Sequence, residues 1–321
     1  MYESILQFTN QLSFEPKIVN GSVAPARTET IIVGGMGGSH LSADLLSHAL
    51  PSLDIHVHAD YGLPAWESKK LTDSLLIASS YSGNTEETLD FTESALSRGL
   101  RPAILASGGK LLQLAIDKKL PYVQIPNTII QPRVAVGVSL KALAALVGRD
   151  DITAELSRLA GVIHPAEHEA EGKRIATEVN GAVVLVYASR KNETIAYNWK
   201  IKINETAKVP VFANVFPELN HNELAGFSSL GGKASKLGFK AILIRDNNDH
   251  PRVAKRMDIT KELLQARGVE IIETELVGES VLLRAFKSLI TADWTAYHLA
   301  LMYKANPDTN KLIEEFKQKI V

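Results

Sequence analysis

The sequence predicts an α/β protein of two successive subdomains, each a parallel sheet with helices on both faces, ending in a helical C-terminus. Three observations carry this reading. Short apolar, β-branched runs alternate with longer helical patterns, as right-handed strand–helix–strand crossovers require. A length of 321 residues suits two domains of ordinary size, each with its own core. A polar break at Gly148-Arg-Asp-Asp-Ile152 separates two cycles of the pattern and sets the expected domains at 1–150 and 151–321.

In chain order, Thr30–Val33 (TIIV) reads as a strand, followed by the glycine-rich turn Gly34–His40 and a helix from about Leu41 to Ala49. Asp54–His58 (DIHVH) alternates with period two, and Ser74–Ser79 (SLLIAS) is a short continuous apolar run. A polar loop and a helix from about Thr85 to Ser97 come next. Arg101–Ala106 and Pro121–Ile125 repeat the strand pattern around a helical stretch from Lys110 to Lys118. The second cycle has strands at Ala182–Ala188, Lys240–Arg245 and Val269–Glu273, with helices at about Asn192–Lys208 and Arg252–Arg267. Two helices, about Glu279–Lys304 and Thr309–Ile320, follow. The halves share a strand–polar loop–helix theme consistent with duplication, without a residue-level repeat.

Composition narrows the function classes. The chain is 45% apolar and 22% charged with a net charge of −1, so no strong field draws it to nucleic acid or acidic lipid. It has no cysteine, which excludes disulfides, thiolate metal sites and a cysteine nucleophile. The start, MYESILQFTNQL, carries Glu3 and no basic run, which reads against a signal peptide. The apolar stretch Val281–Met302 contains Arg284, Lys287 and Asp293. Each would cost about 2.5–3.5 kcal/mol at a bilayer centre, so a buried or oligomer-interface helix is expected instead. A cytoplasmic protein with no nucleic-acid or membrane partner follows.

Two loops invite a ligand. Ser80-Tyr-Ser-Gly-Asn-Thr85 lies between a strand and a helix, with Thr85 as a candidate N-cap and Glu86 and Glu87 in the first turn. Free N–H groups at such a terminus bind anions, and the hydroxyls of Ser80, Ser82 and Thr85 add donors. An ordinary capped βα turn explains the same residues. Gly34-Gly-Met-Gly-Gly-Ser-His40 is not a dinucleotide fingerprint, because the third glycine would fall at His40, so no nicotinamide cofactor is expected. Its glycines, with Gly38 and Ser39 at the helix entry, serve either close approach to a ligand or helix-on-strand packing.

Among titratable groups, Glu205 and His221 are the pair suited to acid/base work near neutral pH. Ile195, Trp199 and Ile203 share one face of their helix, and Glu205 is off it, between Lys202 and Lys208. A solvated glutamate in i,i+3 pairs accounts for that spacing. Its place near the helix C-terminus, where the macrodipole disfavours a carboxylate, is the contrary signal. His221 sits in the polar loop Glu218-Leu-Asn-His-Asn-Glu223, which reads as a surface histidine. A metal held by Glu218, His221 and Glu223 is the weaker alternative, with no H-x-x-x-H pair nearby. Arg133 opens an apolar helix as a candidate anion contact, and Lys317 flanks the apolar Leu312, Ile313 and Phe316 of the last helix.

Taken together, these segments resemble a known family. SSYSGNTEETL is similar to the phosphosugar loop of SIS (sugar isomerase) domains, and INETAKVP with PELNHNE resembles the signature of bifunctional phosphoglucose/phosphomannose isomerases. Asp293-x-x-x-Tyr297-x-Leu299-Ala300, Asn306-Pro-Asp and Phe316-Lys317 resemble that family's ending. The resemblance implies two SIS-type subdomains, hexose 6-phosphate substrates, no metal and no organic cofactor. Ser80, Ser82 and Thr85 would hold the phosphate, with Gly38 and Ser39 near the sugar. Glu205 would shuttle the proton between C1 and C2, His221 and Lys317 would serve ring opening, and Arg133 would stabilise the enediolate. A homodimer is implied, with His221 reaching the neighbouring subunit's site. The polar residue seven before the lysine, linked in the family to mannose 6-phosphate use when threonine, is Asn310 here. A non-catalytic SIS sugar-phosphate sensor is the alternative. It would keep the serine loop but have no use for Glu205, His221 and Lys317 together. The isomerase part of a glucosamine 6-phosphate synthase is a third reading, disfavoured by the missing amidotransferase part.

Overall fold

The computed structural model describes residues 1–21, 30–127, 131–229 and 237–320. The chain forms two compact units, Leu6–Ile163 and, separately, Met1–Ile5 with the chain from His164 onward. Two short helices, α1 (Tyr2–Leu6) and α2 (Thr9–Leu12), come first. The strands that follow are β1 (Ile18–Val19), β2 (Thr30–Gly34), β3 (Asp54–His58), β4 (Leu75–Ser80), β5 (Ala103–Ala106) and β6 (Tyr122–Gln124). They form one sheet in the order β1-β6-β5-β4-β2-β3, parallel except for the two-residue β1. Every residue of β4 is buried, which is why its sequence runs continuously apolar, whereas β3 at the edge alternates.

The helices of this unit are α3 (Leu41–Ala49), α4 (Ser68–Thr72), α5 (Glu86–Ser97), α6 (Gly109–Asp117), α7 (Val136–Leu146) and α8 (Asp150–Leu159). One face of the sheet buries Ile32, Ala78 and Ile104 against Phe91 of α5 and Leu111 of α6. Fully buried Lys141 of α7 satisfies its ammonium with Leu12 O (2.9 Å), Glu15 Oε1 (2.9 Å) and Ser157 Oγ (2.7 Å). The polar break at Gly148–Ile152 is a helix–helix turn, with Arg149 bonded to Asp151, and α8 belongs to this unit.

The second unit contains α9 (Glu169–Val179), β7 (Val183–Ser189), α10 (Glu193–Ala207), β8 (Val211–Phe216), β9 (Phe239–Arg245), α11 (Pro251–Gln265), β10 (Glu270–Glu275), α12 (Val281–Met302) and α13 (Lys311–Ile320). Its sheet is fully parallel in the order β10-β9-β7-β8. The two sheets share a plan: a first strand (β2 or β7), the next beside it at the edge (β3 or β8), and the third on the first strand's other flank (β4 or β9). Each therefore has a switch point, the usual ligand crevice, at the C-terminal ends of its first and third strands.

The apolar stretch of α12 is buried within its own unit, where α9 and α10 pack on it. Trp199 Nε1 on α10 donates to Ser288 Oγ of α12 (2.9 Å), and Trp294 Nε1 of α12 donates to Pro165 O (2.8 Å). Among the described residues no helix is long and apolar enough to cross a membrane. On α13 no residue is buried, and Leu312, Phe316 and Ile320 are exposed.

Candidate active site

In the Leu6–Ile163 unit the expected phosphate and sugar residues converge on one switch point, between β2 and β4. Ser80 is the last residue of β4, and Thr85 immediately precedes α5. Thr85 holds the N-cap position, but its hydroxyl meets Ser80 Oγ (2.9 Å) instead of capping the helix. The first-turn N–H groups of α5 therefore lack the side-chain acceptor expected from sequence, and the helix dipole favours an anion there. Exposed Ser82 accepts from Asn84 N (3.2 Å), and buried Ser80 Oγ accepts from Gly83 N (3.1 Å). Gly83 has φ +68°, and a Cβ there would lie 1.8 Å from Gly108 O, so the turn requires glycine.

The glycine-rich loop packs against the serine loop. Ser79 Oγ donates to Ser39 O (2.8 Å), and Tyr81 N donates to Ser39 Oγ (3.1 Å). A Cβ on Gly38 would lie 2.9 Å from Arg133 N, which explains the close approach of this turn to the Pro132–Val134 segment. Arg133 is fully buried there and donates to Gln131 Oε1 (3.0 Å). Gly38, Ser39, Ser80, Ser82, Thr85 and Arg133 thus share one loop cluster. His40, which breaks the glycine fingerprint, is buried and meets Asp44 Oδ2 through Nδ1 (2.8 Å). Thr88 Oγ1, one residue past Glu87, is buried without a hydrogen-bond partner.

The acid/base residues belong to the second unit. Glu205, half-buried in the last turn of α10, is not in the expected surface pair with Lys202. Lys202 turns inward and donates to both oxygens of Asp293 on α12 (2.7 and 2.8 Å), with both side chains 1% exposed. The Glu205 carboxylate instead meets Asn310, whose Nδ2 donates to Oε2 at 3.5 Å. Lys208 donates to the Glu205 backbone carbonyl and to Asn310 Oδ1 (2.7 Å). Lys317 is exposed on α13 and pairs with Glu314 (3.3 Å).

His221 is exposed, on a loop anchored beneath it. Two residues on, Glu223 accepts from the Tyr187 hydroxyl of β7 and from Asn214 Nδ2 of β8 (2.5 Å). Burial, and then the Glu223 charge, push the Tyr187 hydroxyl well above its ordinary pKa, so it remains a donor. On the other side of His221, Asn220 Nδ2 donates to Thr260 Oγ1 of α11 (2.8 Å). Glu218 accepts from Asn222 (2.9 Å), so both acidic residues of the metal reading have other partners. Among the described residues no group of three or more metal-ligating side chains is assembled.

The second unit's counterpart of the serine loop follows β9, and it is acidic. Asp246 accepts from Lys191 Nζ (3.1 Å), Asn192 Nδ2 (3.1 Å) and Asn248, and Ser189 Oγ donates to Asp249 (2.6 Å). Burial works against the Asp246 charge, but hydrogen bonds led by the Asn248 backbone hold its pKa down to about 2. Burial raises that of Asp249.

Comparison with known proteins fits both halves. Residues 168–320 match the bacterial phospho-glucose isomerase C-terminal SIS domain. A bifunctional phosphoglucose/phosphomannose isomerase of Aquifex aeolicus is 32% identical over 100% of this chain and 98% of its own length. One from Caldicellulosiruptor bescii is 33% identical, again over 100% and 98%. The chain belongs to the bifunctional phosphoglucose/phosphomannose isomerase family.

A hypothetical protein of Thermus thermophilus shares the fold with a TM-score of 0.72 at 16% identity, covering 99% of this chain and 87% of its own. Within the isomerase-family chain, sequence reasoning set Lys208 beside Glu205 but missed its contact with Asn310, Asn310 as the partner of the Glu205 carboxylate, the Lys202–Asp293 pair, and Glu223 as the anchor of the His221 loop. One signal was available for Lys208: the helix ends there without a glycine, directly before Val209-Pro210.

Proposed function

We propose that this protein is an aldose–ketose isomerase that interconverts glucose 6-phosphate with fructose 6-phosphate; mannose 6-phosphate is the second substrate to assay, with Asn310 standing where the family's mannose-linked residue is threonine. What carries the reading is the full-length likeness to enzymes of that name in a chain that keeps both the serine loop and the Glu205 and His221 motifs. Ser80, Ser82, Thr85 and the α5 N-terminus bind the phosphate, with Gly38 and Ser39 beside the sugar, and this remote binding positions the reacting carbons. His221, supplied by the neighbouring copy of a homodimer, and Lys317 move the proton that opens the hemiacetal. Glu205 takes the C2 proton as electrons shift onto the C1 carbonyl oxygen, giving a cis-enediolate whose charge Arg133 offsets. The O2 hydroxyl proton passes to O1, the same carboxylate returns the carbon-bound proton to C1, and the carbonyl is left at C2. The reaction is redox-neutral and needs neither a metal nor a cofactor. A cytoplasmic place in carbohydrate metabolism goes with such substrates.

The test is a coupled assay of purified protein on both hexose phosphates, with and without chelator, alongside Glu205→Gln. Turnover of at least glucose 6-phosphate, unaffected by chelator and reduced by several orders of magnitude in the variant, is expected. A sugar-phosphate sensor would bind without turnover, and activity lost to chelator would overturn the metal-free route.

A further inference from the structure

The lysine in contact with the Glu205 residue is Lys208, and its geometry makes it more than a helix-end charge. An ammonium offers only donors, so the 2.7 Å contact from Lys208 Nζ selects the oxygen of the Asn310 amide. The amide nitrogen is thereby turned toward Glu205 Oε2, at 3.5 Å. Without the cation, the amide could present either end to the carboxylate, and its oxygen would repel it. The same ammonium donates to the Glu205 backbone carbonyl, so Lys208 holds both the main chain and, through Asn310, the side chain of that residue.

Backbone conformation points the same way. Lys208 ends α10 at φ 61°, ψ 33°, the left-handed region where glycine or asparagine is the ordinary choice. The following chain is fixed independently, because Asn204 Oδ1 accepts from Val211 N (2.7 Å) and closes the turn around residues 208–210. Lys119 and Lys304 share this left-handed φ, so conformation alone does not single out Lys208; its contacts with Glu205 and Asn310 do.

We propose that Lys208 is a positioning residue for Glu205, acting through Asn310: it fixes the amide so that the carboxylate is held in one orientation for proton transfer. This rests on the reading of Glu205 as the base. Asn310 opens α13, where its carbonyl accepts from Glu314 N (3.0 Å), so the same contacts couple the end of α10 to the start of the last helix.

Steady-state isomerisation of fructose 6-phosphate by the full-length protein tests this, with thermal melting alongside. Lys208→Met is expected to lower kcat about tenfold with KM unchanged within about twofold, a misorientation effect and not a binding one. Lys208→Gly should lose as much kcat while its Tm holds or rises, because glycine relieves the left-handed residue; a purely structural lysine would lower both together. In an Asn310→Ala background, Lys208→Met should add nothing further. Wild-type kcat in Lys208→Met or Lys208→Gly, or multiplicative losses in the double variant, would overturn the proposal. Glu205→Gln separates the layers: if it keeps turnover, the base assignment fails and takes this inference with it. If it is inactive while Lys208→Met is at wild-type rate, only the inference fails.

Discussion

Replacing Lys202 by methionine is expected to destabilise the second unit far more than any surface-charge change. The ammonium lies 2.7 and 2.8 Å from the two oxygens of Asp293, and neither side chain is more than 1% exposed. At that separation the attraction is about 6 kcal/mol for an effective dielectric constant near 20. Desolvating both ions costs several kcal/mol apiece, so the intact pair contributes little net stability. Removing only the cation leaves the cost of burying the carboxylate without its counter-charge, and the loss should be about 3–5 kcal/mol. Lys202→Met combined with Asp293→Leu should recover most of it, since two apolar groups need no counter-charge. Urea unfolding followed by tryptophan fluorescence reads this locally: Trp199 and Trp294 lie on the two helices the pair joins, and Trp66→Phe removes the signal of the other unit. A single-variant loss below about 1 kcal/mol, or a double variant no better than the single, would refute the account of the pair.

Two further outcomes are expected. Gly83→Ala places a Cβ 1.8 Å from Gly108 O at φ +68°, so the serine loop must shift; KM for the sugar phosphate should rise at least about tenfold, measured by steady-state kinetics with inorganic phosphate as a competing anion. His168 is held below its ordinary 6.5 by burial and then by Lys287, so the folded state favours neutral imidazole. The unfolded chain then binds the proton more readily, and this contribution, full above pH 6.5, is lost as pH falls through the lower folded value. Melting curves from pH 7.5 to 5 should fall less steeply for His168→Gln than for wild type.

How much was readable from sequence follows from the range of the forces involved. Strand and helix periodicity is local, so the alternating pattern foretold most of both sheets and their helices, but not the short antiparallel β1, the edge strand β8, or helices α8 and α9. The serine loop was legible for the same reason, since Gly83 and the hydroxyls report a turn whose geometry they themselves set. Even there, Thr85 took the N-cap position while its hydroxyl bonded Ser80. The surroundings of Glu205 were not legible. Lys202 pairs with a residue 91 positions away, and Lys208 meets one 102 away as well as the Glu205 main-chain carbonyl, whereas spacing alone suggested that both paired with the Glu205 carboxylate. Long flexible side chains go to the partner that tertiary packing supplies. The apolar α12 left a buried and an interface reading open, and much of its surface is covered by α9 and α10 of its own unit.

The acidic loop after β9 has a consequence for stoichiometry. Both sheets carry the crevice in which such folds take a ligand, yet one copy presents hydroxyls and open amides while the other presents Asp246 and Asp249 tied to Lys191, Asn192 and Ser189. A phosphate entering the second would meet two carboxylates already holding the local donors. If the serine loop is the phosphate site, duplication of the architecture has not duplicated the cargo, and calorimetric titration with fructose 6-phosphate is expected to saturate at one per chain. The second crevice is instead tied shut by its own hydrogen bonds, directly before the helix that carries Glu205.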